Sequence, residues 1–152
     1  YWKELFRVSK NQIVCGGNYF TDYLFSNNAW IFWYKHQPVD NYADGEFIWT
    51  SFPDKQGKCF DYMYYGSINS ESDRFHPTQK PVALYKWLLK NYAKPGDKIL
   101  DTHVGSASSL IACEDLGFPY IGFEIDKDYY EAAQKRLADF KAQVSMFEMI
   151  RR

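Results

Sequence analysis

The sequence predicts an α/β fold with parallel strands and a nucleoside-type ligand at their carboxyl ends. Three observations carry this. Residues 98–126 read as strand, small-residue turn, helix and strand. An acid stands at the end of each strand, Asp101 and Glu124. Glu124 lies where the acid that holds a ribose hydroxyl is found, about 20 residues past the turn. Open α/β sheets bind nucleotide-like ligands at that end.

The elements follow in order. Leu5, Val8 and either Trp2 or Tyr1 share one helical face, so residues 1–9 read as a helix, with no capping residue before Tyr1. Residues 11–15 read as a buried strand, 16–18 as a turn and 19–24 as a short helix. Residues 29–34 are apolar on both faces and predict a central strand. A loop over 35–43 leads to strands at 46–50 and 59–64, joined by a turn at 53–57, and 66–75 is polar and loop-like. His76-Pro77-Thr78-Gln79-Lys80-Pro81 is a stiff turn feeding a helix, and Pro81 suits a first helical turn. Leu84, Trp87, Leu88 and Tyr92 recur at helical spacing, and residues 94–97 stop that helix. Residues 98–101 predict a strand, 106–116 a helix stopped by Gly117, and 120–124 a strand. Asp126 caps a helix over 127–142 with Tyr130, Ala133, Leu137 and Phe140 inward, and 144–147 reads as a last short strand.

With 152 residues the chain is one domain's worth. Its net charge of −1 supplies no global basic field, so a nucleic-acid partner would have to meet a local patch. Cys15, Cys59 and Cys113 form no CxxC pair and no Cys/His cluster, which argues against a zinc site or a disulfide framework. Reduced thiols and the lack of an apolar run near 18 residues make a cytoplasmic location, without membrane or metal, the expectation.

The turn has a physical logic. Gly105 and Ser106 let backbone N–H groups approach a ligand at a helix N-terminus, where negative charge is favoured. Asp101 can face a cationic amine, and Glu124 can accept two hydrogen bonds from a ribose diol. S-adenosylmethionine carries an amine, a carboxylate and a ribose. A strand–helix–strand unit with ordinary capping acids fits the same pattern.

The hexapeptide 76–81, the Val82-Ala83-Leu84 that follows it, the strand ending at Asp101, and Gly122-Phe123-Glu124-Ile125-Asp126 together resemble the amino (N6-adenine or N4-cytosine) DNA methyltransferases. The resemblance is to the class with its cofactor motif last, and nearest to phage and prophage adenine-N6 enzymes. It covers nearly the whole chain, including Gly16-Gly17-Asn18-Tyr19-Phe20. It implies a Rossmann-like S-adenosylmethionine-dependent methyltransferase fold over 1–152, with a seven-stranded mixed sheet and helices on both faces. Residues 76–147 would be the cofactor-binding half and 36–75 a target-recognition-like insert. Thr78 and Lys80 would lie beside the cofactor's methionine end, and Asp101, Thr102, Gly105 and Ser106 would form the turn around it. Glu124 would hold the ribose, and Ile125 would pack near the adenine ring. Trp49, Phe60, Tyr62 and Tyr64 would cover double-stranded DNA or stack bases, although a small β-sheet core also explains them. Arg74, Lys80, Lys86 and Lys90 would supply a basic patch, although a solvated helix face also explains the lysines. A homodimer is a further implication.

Two departures stand out. The family turn reads Asp-Pro-Phe-x-Gly-Ser-Gly-Thr, whereas here it is Asp101-Thr102-His103-Val104-Gly105-Ser106-Ala107-Ser108. Ala107 adds a Cβ where the backbone nears the ligand, which weakens cofactor binding, and His103 reads as packing. The family's catalytic Asp/Asn/Ser-Pro-Pro-aromatic tetrapeptide is absent, because no two of the six prolines are adjacent. It would belong upstream of Tyr1, so the chain reads as an N-terminally shortened methyltransferase. The strand missing with it would lie between those ending at Asp101 and Cys15. No cysteine follows a proline, which excludes cytosine-C5 chemistry. The expected reaction is methyl transfer to adenine N6, in a restriction–modification or phage setting. The alternatives are an inactive remnant that binds cofactor or DNA, an N4-cytosine enzyme, and an unrelated nucleotide-binding α/β protein.

Overall fold

The computed structural model describes residues 1–65 and 74–150, the side chains of 144–150 excepted, so most of the loop expected at 66–75 lies outside the described residues. The chain divides into two compact units, Tyr1–Ser70 and Glu71–Arg152.

The first unit holds α1 (Trp2–Val8), β1 (Ile13–Cys15), β2 (Ile31–Tyr34), β3 (Gly45–Thr50) and β4 (Lys58–Asp61). They form a mixed sheet in the order β1-β3-β2-β4, antiparallel except for the parallel β2–β4 pair. The central strand expected at 29–34 is β2, with neighbours on both edges. Its Ile31 and Trp33 alternate onto one buried face with Ile48 of β3, while Trp49 is buried on the opposite face. Phe32 meets Phe47 on the other face at 5.1 Å between ring centroids. Thr50 is fully buried, and its hydroxyl donates to the Ala29 carbonyl at 2.8 Å.

Two expectations change here. The strand expected over 11–15 shortens to β1 and is half-buried, because it lies at the sheet edge. Residues 19–24 form no α-helix. A 3-10 turn at Gly17–Tyr19 continues through i→i+3 bonds such as Tyr23 N–H to the Phe20 carbonyl, 2.9 Å. The strand expected at 46–50 is β3, an interior strand of this sheet.

The second unit holds α2 (Val82–Tyr92), β5 (Ile99–Asp101), α3 (Ser108–Leu116), β6 (Tyr120–Gly122) and α4 (Lys127–Ile150). β5 and β6 are parallel, with Asp101 opposite Gly122. α3 is buried over most of its length. One cluster joins Ala107, Leu110 and Ile111 to Ala133 and Leu137 of α4, and another joins Cys113 to Leu89 of α2, Ile99 and Tyr120. The opposite face of the strand pair carries Leu100 and Ile121, 37% and 63% exposed. Among the described residues the six strands form two sheets, not one of seven, because no strand pairs with the outer edge of β5 or β1.

Pro81 sits just ahead of α2, with φ −67°, and Gly117 ends α3 as expected. α3 begins at Ser108 rather than 106, because Ala107 takes a left-handed conformation. The strand expected at 144–147 is helix instead. No glycine or proline interrupts 127–150, so nothing stops α4. Ala133 and Leu137 face inward as expected, but Tyr130 is 48% exposed.

Burial, with the Asp101 charge adding to it, pushes the Cys113 thiol up to about 12. At neutral pH Cys113 is therefore a buried, protonated thiol. Iodoacetamide followed by peptide mass mapping should label exposed Cys59 in the folded protein and reach Cys113 only under denaturing conditions. Labelling of Cys113 under native conditions would mean that α3 opens readily.

Candidate functional site

The candidate site is built at the carboxyl ends of β5 and β6, entirely within the second unit. Asp101 ends β5 with both oxygens engaged. Oδ1 accepts the His103 N–H at 2.9 Å and Oδ2 accepts the Ser109 hydroxyl. The carboxylate thus ties the strand end to the first turn of α3. Phe123 N–H donates to the Asp101 carbonyl and Val104 N–H to the Phe123 carbonyl, so the two strand ends are stitched past the ladder.

Glu124 closes the other side. Its Oε2 accepts the Gly105 N–H at 2.8 Å, and its Oε1 accepts the Asp126 N–H at 3.0 Å. Burial alone would raise its pKa. Hydrogen bonds from the backbone N–H groups of Asp126, Gly105 and Ile125, with attraction to His76, outweigh burial and hold the carboxyl below its ordinary value. Glu124 is therefore a preorganised carboxylate. Thr102, His103, Phe123, Glu124 and Ile125 line a cleft of about 390 Å³, and Ile125 projects fully into solvent beside it.

Gly105 has φ +52°, and a Cβ there would stand 3.3 Å from the His76 ring. Both the conformation and the close approach call for glycine. His76 thereby joins the hexapeptide to the turn. Its ring also meets Tyr129 of α4 edge-on at 4.4 Å. Thr78 N–H reaches His76 Nδ1 at 3.3 Å, and the Thr78 hydroxyl is 3.2 Å from the same nitrogen. Gln79 is buried and accepts the Phe75 N–H.

The structure thus brings Asp101, Thr102, Gly105, Ser106, Glu124 and Ile125 together, with Thr78 linked through His76. Lys80 is half-buried in the hexapeptide. Arg74 is exposed and donates to the Pro77 carbonyl at 3.1 Å. Tyr62, also expected to cover DNA, is half-buried, whereas Trp49 and Tyr64 of the first unit are 0% and 7% exposed and lie in its core. Phe60 is buried with them. Lys86, expected in the basic patch, is paired with Asp115 at 2.9 Å.

Two readings of the turn are corrected. Ala107, at φ +62°, is fully buried among Leu110, Ile111, Ala133 and Leu137. Its Cβ thus points into the core rather than toward a ligand. His103 is exposed on the cleft wall, with its Nδ1 hydrogen-bonded to the Thr102 hydroxyl at 2.9 Å, so it is not a packing residue.

A family model described as DNA methylase matches residues 6–135. The chain belongs to this family. It is 30% identical to the type II methyltransferase M.HpaI of Haemophilus parainfluenzae, over 82% of this chain and 50% of the relative. It is 36% identical to M2.DpnII of Streptococcus pneumoniae, over 53% of this chain and 31% of the relative. The chain thus spans half or less of the length of these curated relatives. The crystal structure of the M1.HpyAVI–SAM complex is similar with a TM-score of 0.62 at 27% identity, covering 83% of this chain and 73% of that one.

In this DNA methylase chain four supporting residues carry no prior signal of their own. His76 was hidden inside a hexapeptide read for its threonine and lysine. Ser109, eight residues past Asp101, reads as an ordinary helix residue. Tyr129 and Arg136 lie on α4, which sequence periodicity assigns to the core. Only tertiary folding brings the Arg136 guanidinium to the turn and the Tyr129 ring to His76.

Proposed function

We propose that this chain is the cofactor-binding part of an enzyme that transfers a methyl group from S-adenosylmethionine to the N6 amine of adenine in double-stranded DNA. The observation that carries the reading is Glu124, a charged, prealigned acceptor at the mouth of a cleft beside a glycine turn. Family membership supplies the reaction class.

The residues fit such a cofactor. Glu124 Oε2 accepts the Gly105 N–H and Oε1 the Asp126 N–H, which aims the carboxylate to accept from a ribose diol as well. Exposed Ile125 and Phe123 offer apolar surface to an adenine ring. Asp101 presents a carboxylate toward a cationic amine, with Thr78 and Lys80 on the same methionine end. When bound, the cofactor supplies a methyl group activated by its sulfonium. The nucleophile is the base's own nitrogen, so the protein's task is positioning and charge stabilisation. Arg74 and Lys90, both exposed, are the candidates for backbone phosphate contact. The setting we propose is restriction–modification or phage DNA modification in the cytoplasm.

A second reading, a remnant that binds cofactor without transferring methyl, is favoured by the lack of any Pro-Pro pair in the 152 residues. Two measurements separate the readings. Calorimetry with S-adenosylmethionine should give saturable heat, and silence would remove the cofactor site. This chain alone should transfer no labelled methyl to unmethylated DNA, and measurable transfer would show that the Pro-Pro tetrapeptide is dispensable. Joined to an upstream segment bearing an Asp-Pro-Pro-Tyr-type tetrapeptide, it should yield N6-methyladenine on nucleoside analysis. N4-methylcytosine instead would reassign the base, and no product would favour the remnant.

A further inference from the structure

We propose that Arg136 of α4 is a positioning residue that holds the 105–108 turn in its cofactor-ready shape from behind, opposite Glu124. The proposal rests on the cofactor reading above and extends that site by a residue outside the sequence motifs.

The turn needs holding. Gly105 and Ala107 both take left-handed conformations, φ +52° and +62°, within three residues. Glycine adopts this readily, whereas an L-alanine resists it. An Ala107 that relaxed would re-aim the Ser106 peptide and the start of α3. The Arg136 guanidinium opposes this. Its Nη1 donates to the Ser106 carbonyl at 2.7 Å and to the Ser108 hydroxyl at 2.9 Å. The two serine hydroxyls are themselves hydrogen-bonded at 3.1 Å. Ser106 and Ser108 are 4% and 2% exposed, so water cannot readily replace the arginine as donor. Arg136 shares α4 with Ala133 and Leu137, which belong to the same core cluster as Ala107. The residue in the unfavourable conformation and the group that restrains it are thus fixed to one helix.

Glu124 holds the Gly105 N–H on the ligand side while Arg136 holds the Ser106 carbonyl on the core side. The peptide between them is fixed at both ends before a ligand arrives, which lowers the cost of ordering it on binding.

The test combines hydrogen exchange by mass spectrometry with S-adenosylmethionine calorimetry on the wild type, Arg136→Ala, Arg136→Lys, Ala107→Gly and the Arg136→Ala/Ala107→Gly double variant. Arg136→Ala should speed exchange at 104–109 while leaving 82–92 unchanged, and should weaken cofactor affinity about tenfold. Arg136→Lys, which keeps one cationic donor, should recover part of the loss. Ala107→Gly should recover affinity in the Arg136→Ala background, because glycine accepts φ +62° unaided. A merely structural arginine would instead loosen the whole unit and would not be rescued by glycine. Unchanged exchange at 104–109, or no rescue, overturns the proposal. If Arg136→Ala fails to fold, the comparison of Arg136→Lys with Arg136→Lys/Ala107→Gly decides in the same way. If the wild type takes no S-adenosylmethionine, the cofactor reading fails while the exchange data still judge the role of Arg136.

Discussion

Glu124→Ala is expected to weaken S-adenosylmethionine binding on the order of 100-fold, the loss of two charge-assisted hydrogen bonds to a ribose diol. Its two oxygens are already aligned by the Gly105 and Asp126 N–H groups, so the wild-type carboxylate needs no reorganisation on binding. The substitution also releases the Gly105 N–H, adding turn disorder to the lost contacts. Glu124→Gln should fall between the two, because its amide NH2 faces a backbone N–H where an oxygen is required. The pH dependence has a definite sign. The folded carboxyl lies below its ordinary value of 4.5, so it is charged throughout the neutral range. Affinity should stay flat as pH falls from neutrality to 4.5 and decline only below it. The stability this group contributes is likewise present above the unfolded value and lost as pH drops through the lower folded one. Titration calorimetry over that range checks both. An unchanged dissociation constant for Glu124→Ala would remove Glu124 from the site.

Local chemistry made the second unit the more legible one. The hexapeptide, Gly117 and the Asp126 cap each act within a few residues, and each is where the pattern puts it. Asp126 Oδ1 accepts the Tyr129 N–H at 3.0 Å, as a helix cap should. The acids at the ends of β5 and β6 were visible because strand ends bring them together whatever surrounds them. Long-range effects were hidden. Ala107 reads as a Cβ in the ligand's path, yet the turn inverts its direction, and only the packing of α3 against α4 reveals that. The 19–24 segment reads as a short helix, but its tight turn bonds i to i+3. Among the aromatics, composition could not separate a stacking platform from a core, because the alternation of buried and exposed faces depends on which strands pair. Phe47 and Trp49 stand two apart on β3 and share one face, yet Trp49 is buried, with Phe25 and Phe6 packed on it, while Phe47 is half exposed.

That difference in burial gives the second large effect. Trp49→Ala is expected to cost about 3–5 kcal/mol of stability, as large core truncations do. That is a large share of the roughly 5–15 kcal/mol available to a whole domain. The ring is 0% exposed, its indole N–H donates to the Phe25 carbonyl at 3.0 Å, and Phe25 and Phe6 meet it edge-on at 4.9 and 6.3 Å. Trp49→Phe keeps most of the volume but leaves the Phe25 carbonyl without its donor, at about 1–3 kcal/mol. Two residues earlier, Phe47 is 48% exposed, so Phe47→Ala should cost much less. Urea unfolding followed by tryptophan fluorescence orders the three variants. DNA binding by filter retention adds the functional arm. A core ring predicts that DNA affinity tracks the folded fraction of each variant, whereas a base-stacking ring predicts lost affinity at an unchanged urea midpoint. The second outcome for Trp49→Ala would return this residue to the DNA interface. The first leaves the solvent-exposed end of that face of β3, where Phe47 stands, as the part of this strand able to touch a nucleic acid.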